Sequence, residues 1–372
     1  MDNWQTTIKN TFEQFGLLPI PITEFSANNF DCDPDSQLIY GQRTNIRQYR
    51  DISSGKMYAI KCSISDALPI SIKLLAVESV ILQELNERIS RVPLCPYIVP
   101  LLGTTMINNS PALIIPWYPK TLYEAVRETG SNLIRKQRTS LTPLRVFELI
   151  KQIAEGVRYM HTHNVIHRNL CAKNIYVQYD VTDDTYHATI SGFGSAAMEM
   201  SQNNFQPCLP TLLETRESVT KDGYSISFGY LPPELLHKPK KNSSYQTDIW
   251  SFGVLIWQVY MYGAIPFSEF NVTSLYAHLK AGHRLKPEVD WPPKLVYFLR
   301  KCWCEDMDLR PSFIVGDVDH YLSDMTPDME QYSKKLMNMY FNSPKLTSIE
   351  PKNIEPKSIE LINNKDNTCA LL

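Results

Sequence analysis

His167-Arg168-Asn169-Leu170-Cys171-Ala172-Lys173-Asn174 follows a long amphipathic pattern over residues 143–163, with Pro143 suited to a first helical turn. Eighteen residues after Asn174 comes Ser191-Gly192-Phe193-Gly194. Upstream, Leu74, Val77, Ile81 and Leu85 recur at helical spacing within 70–90. Met57-Tyr58-Ala59-Ile60 and Ala112–Ile115 read as strands, with a turn at Ser53-Ser54-Gly55. Residues 1–36 read as a mixed lead-in carrying Pro19, Pro21 and Pro34. Beyond about residue 245 the pattern is mostly helical, through Trp250–Tyr260 and Pro293–Trp303. The expectation is an α+β chain in which a small strand-rich lobe precedes a larger helical one.

The rest of the composition is ordinary. Of 372 residues, 43% are apolar and 20% charged, and the formal net charge is −2. That balance lacks the basic excess of a nucleic-acid binder, so no nucleic-acid partner is expected. Eight cysteines are scattered without a CxxC pair, which argues against zinc and for free thiols in a reducing setting. Met1-Asp2-Asn3-Trp4 opens no basic stretch followed by an apolar run, and no run of 18 apolar residues occurs. Neither a signal peptide nor a membrane-spanning helix is expected.

The segment 167–174 resembles the protein-kinase catalytic loop, H-R-D-L-x-x-x-N. Its neighbours extend the resemblance in order. Tyr58-Ala59-Ile60-Lys61 is similar to the V-A-I-K strand, and Glu78 stands at the spacing of the lysine's ion-pair partner. Ser191-Gly192-Phe193-Gly194 takes the D-F-G place, and Leu231-Pro232-Pro233-Glu234 resembles A-P-E. Asp248-Ile249-Trp250-Ser251-Phe252-Gly253 and Arg310-Pro311 resemble the signatures of the helical lobe. The resemblance covers roughly Leu38 to Leu322. It implies a two-lobed protein-kinase fold over 37–325; beyond it the chain reads as a helical extension over 326–342 and a flexible linker with a C-terminal C-a-a-X box over 343–372. Cys171-Ala172-Lys173 is closer to tyrosine kinases, whereas Ser227-Phe228-Gly229-Tyr230-Leu231 is similar to the tyrosine-kinase-like serine/threonine group. Both groups stay open.

The resemblance also shows what is missing. The catalytic-loop aspartate, which accepts the substrate hydroxyl's proton, is replaced by Asn169, an amide that is a negligible base near neutral pH. The D-F-G aspartate, which holds magnesium, is replaced by Gly192. Of the glycine-loop positions Ile39, Gly41 and Thr44, only Gly41 is a glycine, while Ile46 supplies the apolar cover for an adenine. Lys61, Glu78 and Asn174 persist. They would serve ATP, bound weakly or without magnesium, with Asn174 as a possible metal ligand. The alternative is scaffolding, with Lys61–Glu78 bracing strand to helix and Asn174 tethering the loop. His167, Phe193 and Leu82 match the stacked apolar spine. Asp248 is expected to hold the catalytic-loop backbone, and Glu234 to pair with Arg310. Thr211, Thr215, Ser218, Thr220, Tyr224, Ser225 and Ser227 are candidate phosphorylation sites that would dock on Arg168, or plain solvated hydroxyls.

From Ile349 to Glu360 an imperfect repeat places prolines at 351 and 356, which block a stable helix. The sequence closes on Cys369-Ala370-Leu371-Leu372, a C-a-a-X pattern with X = Leu, which marks Cys369 for geranylgeranylation. One lipid without a polybasic patch implies reversible attachment at the cytosolic face of a membrane. The expected function is that of a pseudokinase: a scaffold or allosteric regulator of a protein partner, such as an active kinase, contacted through the helical lobe or the helix carrying Glu78. The rivals are a slow, unorthodox kinase, with Asp180, Asp183 or Asp184 as substitute acid, and a nucleotide sensor without turnover.

Overall fold

The computed structural model describes residues 2–32, 39–40, 44–63, 69–86, 95–135, 137, 139–198, 228–237 and 243–342. Gly41, the hydroxyl-bearing positions from Thr211 to Ser227, and Cys369 lie outside the described residues.

The small lobe is an antiparallel sheet around one helix. Strands β1 (Phe30–Cys32), β2 (Ile39–Tyr40), β3 (Thr44–Asp51), β4 (Met57–Ser63), β5 (Gly103–Ile107) and β6 (Ser110–Pro116) pair in the order β1-β3-β4-β6-β5, with β2 also on β3. The β3–β4 turn is closed by Asp51, whose Oδ1 accepts from the backbone N–H of Ser53 and Ser54 at 2.9 and 2.7 Å. Gly55 takes φ +70° there, a conformation that favours glycine. Alternation sorts the sheet faces. Ile60, Ala112 and Ile114 face outward beneath Phe25, Phe30 and Tyr49, whereas Ala59, Leu113 and Ile115 face the core shared with the large lobe. Under that inner face lies α2 (Pro69–Asn86), with Leu75, Val77, Ile81, Leu82 and Leu85 buried.

Of the lead-in read over 1–36, residues 2–32 pack on this lobe. Asp2–Gln14 forms helix α1, whose Trp4, Ile8, Phe12 and Phe15 are buried in the same core cluster as α2. Their spacing is that of one helical face, and α1 packs against α2 along it. The chain then crosses the sheet. Thr23 and Phe25 exchange backbone hydrogen bonds with Thr104, and β1 pairs with β3 at the other end. At Gly103 a Cβ would lie 2.4 Å from the Thr23 carbonyl, so only glycine lets this crossing sit so close.

The large lobe is helical. Its helices are α3 (Leu122–Ile134), α4 (Pro143–Thr162), α5 (Pro233–His237), α6 (Tyr245–Tyr260), α7 (Val272–Lys280), α8 (Pro293–Cys302) and α9 (Asp317–Asn342). Thr121 caps α3 in a reciprocal box with Glu124, and Thr142 caps α4 ahead of Pro143. Helix α6 is buried on all sides from Thr247 to Tyr260, as its apolar sequence requires of a central helix. The boundary read at 325 falls inside α9, which runs unbroken past Pro327. Short strands β7 (Lys120–Thr121), β8 (Val165–Ile166), β9 (Ile175–Asp180), β10 (Thr185–Ile190) and β11 (Ala197–Met198) form the floor facing the small lobe. The segment 167–174 links β8 to β9, and 191–194 follows β10.

Candidate functional site

Between the lobes the persisting charged residues meet. Lys61, in β4, reaches Glu78, in α2, with Nζ–Oε2 at 2.6 Å; the two side chains are 12% and 5% exposed. A pair this buried is costly to break, because the remaining charge is left uncompensated.

The 167–174 loop is held from beneath. The Asp248 carboxylate, fully buried in α6, accepts from the backbone N–H of His167 at 2.7 Å and of Arg168 at 2.9 Å. His161 Nε2 adds a third contact at 3.0 Å. Burial alone would raise this carboxyl; the His161 bond, the nearby imidazoles and the backbone donors outweigh it and hold it below the usual carboxylate value. Arg168 is buried at φ +68°, a left-handed conformation that costs a non-glycine residue about 1–2 kcal/mol. The two hydrogen bonds to Asp248 hold the backbone that leads into that residue.

His167 is fully buried, and its Nε2 donates to the Ser191 carbonyl at 3.0 Å while Nδ1 accepts from the Asn169 N–H at 3.2 Å. Burial pushes its pKa down, so the ring is neutral. Phe193 stands edge-on to it at 4.8 Å. Phe193 and Leu82 are both completely buried in the core that joins the lobes. Glu234 and Arg310 form a two-point pair at 2.8 and 3.1 Å. Arg310 also donates to the carbonyls of Cys304 and Gln246 and lies over the Trp250 ring.

The two substituted positions are linked. Asn174 Nδ2 donates to the Asn169 carbonyl at 2.7 Å. This places the Asn174 amide where a side chain at 192 would have to go. A Cβ on Gly192 would lie 2.7 Å from Asn174 Cγ, 2.8 Å from Oδ1 and 2.9 Å from Nδ2. Gly192 also takes φ +82°, a conformation that favours glycine. The Ser191 N–H and hydroxyl both donate to the Asn174 carbonyl, at 2.8 and 3.0 Å, and so fasten the two loops together. Magnesium needs hard oxygen ligands, usually one or two carboxylates. Position 192 supplies none; Asn174 donates its Nδ2 to the loop backbone and offers only one neutral amide oxygen, so these two positions lack the carboxylate that the ion usually takes.

The substitute acids lie elsewhere. Asp184 pairs with Arg145 at 2.7 Å and accepts from Tyr179 at the tip of the β9–β10 hairpin, and Asp180 accepts from Thr182 in the same turn. Asp183 belongs to that turn.

Between the lobes the rings of Tyr118 and Tyr176 stack, 4.8 Å apart and within 3° of parallel. Tyr176 is 8% exposed; burial, then the Glu78 charge, pushes its phenol well up. Burial raises the Tyr118 phenol too. Pro116 ends β6 opposite Tyr58 and removes one backbone donor from the strand connecting the lobes.

A family model described as "Protein tyrosine and serine/threonine kinase" matches residues 59–315. Among curated relatives, the chain is 29% identical over 182 residues to human ephrin type-A receptor 1, covering 48% of this chain and 16% of the receptor. It is 26% identical over 273 residues to the Drosophila tyrosine-protein kinase Abl, covering 73% of this chain and 14% of that protein. Over 210 residues it is 26% identical to the Caenorhabditis elegans myoblast growth factor receptor egl-15, covering 55% and 18%. In each case the match spans less than a fifth of the relative's length.

Proposed function

The chain belongs to the protein tyrosine and serine/threonine kinase family, and from that membership we propose that it is a pseudokinase, working by binding a protein partner and not by transferring phosphate. One observation carries this reading. Asn174 fills the space in front of Gly192, so the metal-holding carboxylate is absent and its place is taken. Phosphoryl transfer depends on positioning and charge neutralisation. Losing the metal anchor at 192 and the proton acceptor at 169 removes both supports. The braces within each lobe are all formed: Lys61–Glu78 in the small lobe, and Asp248 with the loop backbone and Glu234–Arg310 in the large one. A rigid kinase-shaped surface suits a scaffold or an allosteric regulator of an active kinase. Because α1 covers one side of α2, the large lobe is the more open surface for such a partner.

The reading extends to place. Geranylgeranylation at Cys369 would bring the protein to the cytosolic face of a membrane, reversibly. The test is membrane partitioning of the Cys369→Ser variant; partitioning equal to that of the unaltered protein removes the anchor from the account.

The formed Lys61–Glu78 pair favours a second reading, a sensor that binds ATP weakly or without magnesium and does not turn it over. Incubation with ATP and magnesium tests the main proposal. No transfer above background is expected. Robust phosphorylation by the unaltered protein, abolished by Lys61→Ala, would refute it in favour of a slow, unorthodox kinase. Thermal stabilisation by ATP, with and without magnesium, separates sensor from pure scaffold.

A further inference from the structure

The roof of the cleft follows from strand register. Directly opposed residues on neighbouring strands share a face. Ile46 stands opposite Lys61, Lys61 opposite Leu113, and Ala59 opposite Ile115. Since Lys61 reaches down to Glu78, Ile46 and Ala59 also look toward the large lobe. The floor is β9, where Tyr176 reaches toward Ser191 and Glu78. Tyr118, in the connection between β6 and β7, lies flat against it.

Roof and floor are largely buried, with Ile46 and Tyr118 half-buried. Ala59 is 3% exposed and Tyr176 8%, and both belong to one continuous core cluster on which Ile46 and Tyr118 pack. A phenol ring and a purine are planar π-systems of similar thickness, and both favour parallel, offset stacking. Space taken by two stacked rings under an apolar roof is space a base would need.

We propose that the Tyr118–Tyr176 stack is this chain's own occupant of the base-binding slot. A purine nucleotide or nucleoside then enters only when Tyr118 turns out, stacks on Tyr176 in its place, and directs its phosphates toward Lys61. Tyr118 is thus the residue that sets nucleotide affinity. The two substituted acids set only what would happen to a nucleotide once bound. The inference rests on the kinase-family cleft described above but not on the absence of phosphate transfer.

The experiment is calorimetric titration of the full chain with adenosine and with ADP, both without magnesium, for the unaltered protein and for Tyr118→Ala, Tyr118→Leu and Tyr118→Phe. Tyr118→Ala is expected to bind both ligands at least tenfold more tightly than the unaltered protein. Tyr118→Leu, which removes the stacked ring but keeps apolar bulk, should gain in the same direction and covers the case in which the alanine variant does not fold. Tyr118→Phe keeps the stack and should stay within a few-fold of the unaltered protein. Adding Lys61→Ala to the alanine variant should lower ADP affinity and leave adenosine unchanged. Equal adenosine affinity in the unaltered, alanine and leucine proteins overturns the proposal. Phosphate transfer from ATP, measured on the same samples, would refute the pseudokinase reading without touching this one.

Discussion

Replacing Gly192 by Asp restores the missing carboxylate, yet the geometry says that it will weaken the protein before it helps any chemistry. The new Cβ would sit 2.7–2.9 Å from three atoms of the Asn174 amide. That amide is the far end of a side chain and can turn away, but turning breaks the 2.7 Å bond from Nδ2 to the Asn169 carbonyl. Losing such a bond costs about 1 kcal/mol net, and more if the carbonyl stays dry. The backbone at φ +82° adds about 1 kcal/mol for a residue with a Cβ. The expected loss is about 2–3 kcal/mol, measured as a lower urea midpoint at unchanged slope. A double-mutant cycle with Asn174→Ala isolates the collision. In that background the Gly192→Asp penalty should fall by about 1 kcal/mol, because the hydrogen bond is already gone and the space is open. If Gly192→Asp is as stable as the unaltered protein, or its penalty is the same with and without the Asn174 amide, the reasoning about a filled metal position is wrong.

Three further outcomes follow from the same contacts. Arg310→Met leaves Glu234 largely buried without its cation and should cost about 3–5 kcal/mol, of which adding Glu234→Leu should return a part; urea denaturation of the three variants checks this. Phe12→Ala empties a fully buried site between α1 and α2 and should cost about 3–5 kcal/mol, with hydrogen exchange quickening in those two helices and not in α6. His167 is held below its ordinary value of 6.5, so the unfolded chain takes up that proton first, and stability falls as pH drops below about 6.5. Asp248, held below its ordinary 3.8, adds stability that is intact above that value and lost as pH falls past it. His167→Phe should flatten the upper phase of urea midpoint against pH; an unchanged slope would show that His167 does not carry it.

Most of the scaffold was legible because its residues are read in order along one chain. The run from Lys61 through 167–174 to Arg310 specifies both lobes, and the helix read over 70–90 appears at Pro69–Asn86. Helix α1 was readable too: Trp4, Ile8, Phe12 and Phe15 have the spacing of a single face. Prolines at 19, 21 and 34 drew attention to irregular chain and away from the helix before it. The stack of Tyr118 on Tyr176 could not be read. Its partners lie far apart in sequence and meet only because β7 pairs with β9, bringing the inter-lobe connection onto the floor. The filling of position 192 by Asn174 was hidden for a related reason. Sequence shows that a glycine lacks a side chain but not which neighbour takes up the room.

The packing of α1 on α2 also bears on the order in which the protein is made. Roughly 70 residues separate the end of α1 from the end of its partner helix, so at roughly 5–20 residues per second α1 leaves the ribosome several seconds before α2 is complete. Through that interval Trp4, Ile8, Phe12 and Phe15 form a greasy stripe with nothing to lie against. The nascent chain therefore carries this stripe before the helix that covers it exists. Chaperone demand during synthesis should rise over this interval.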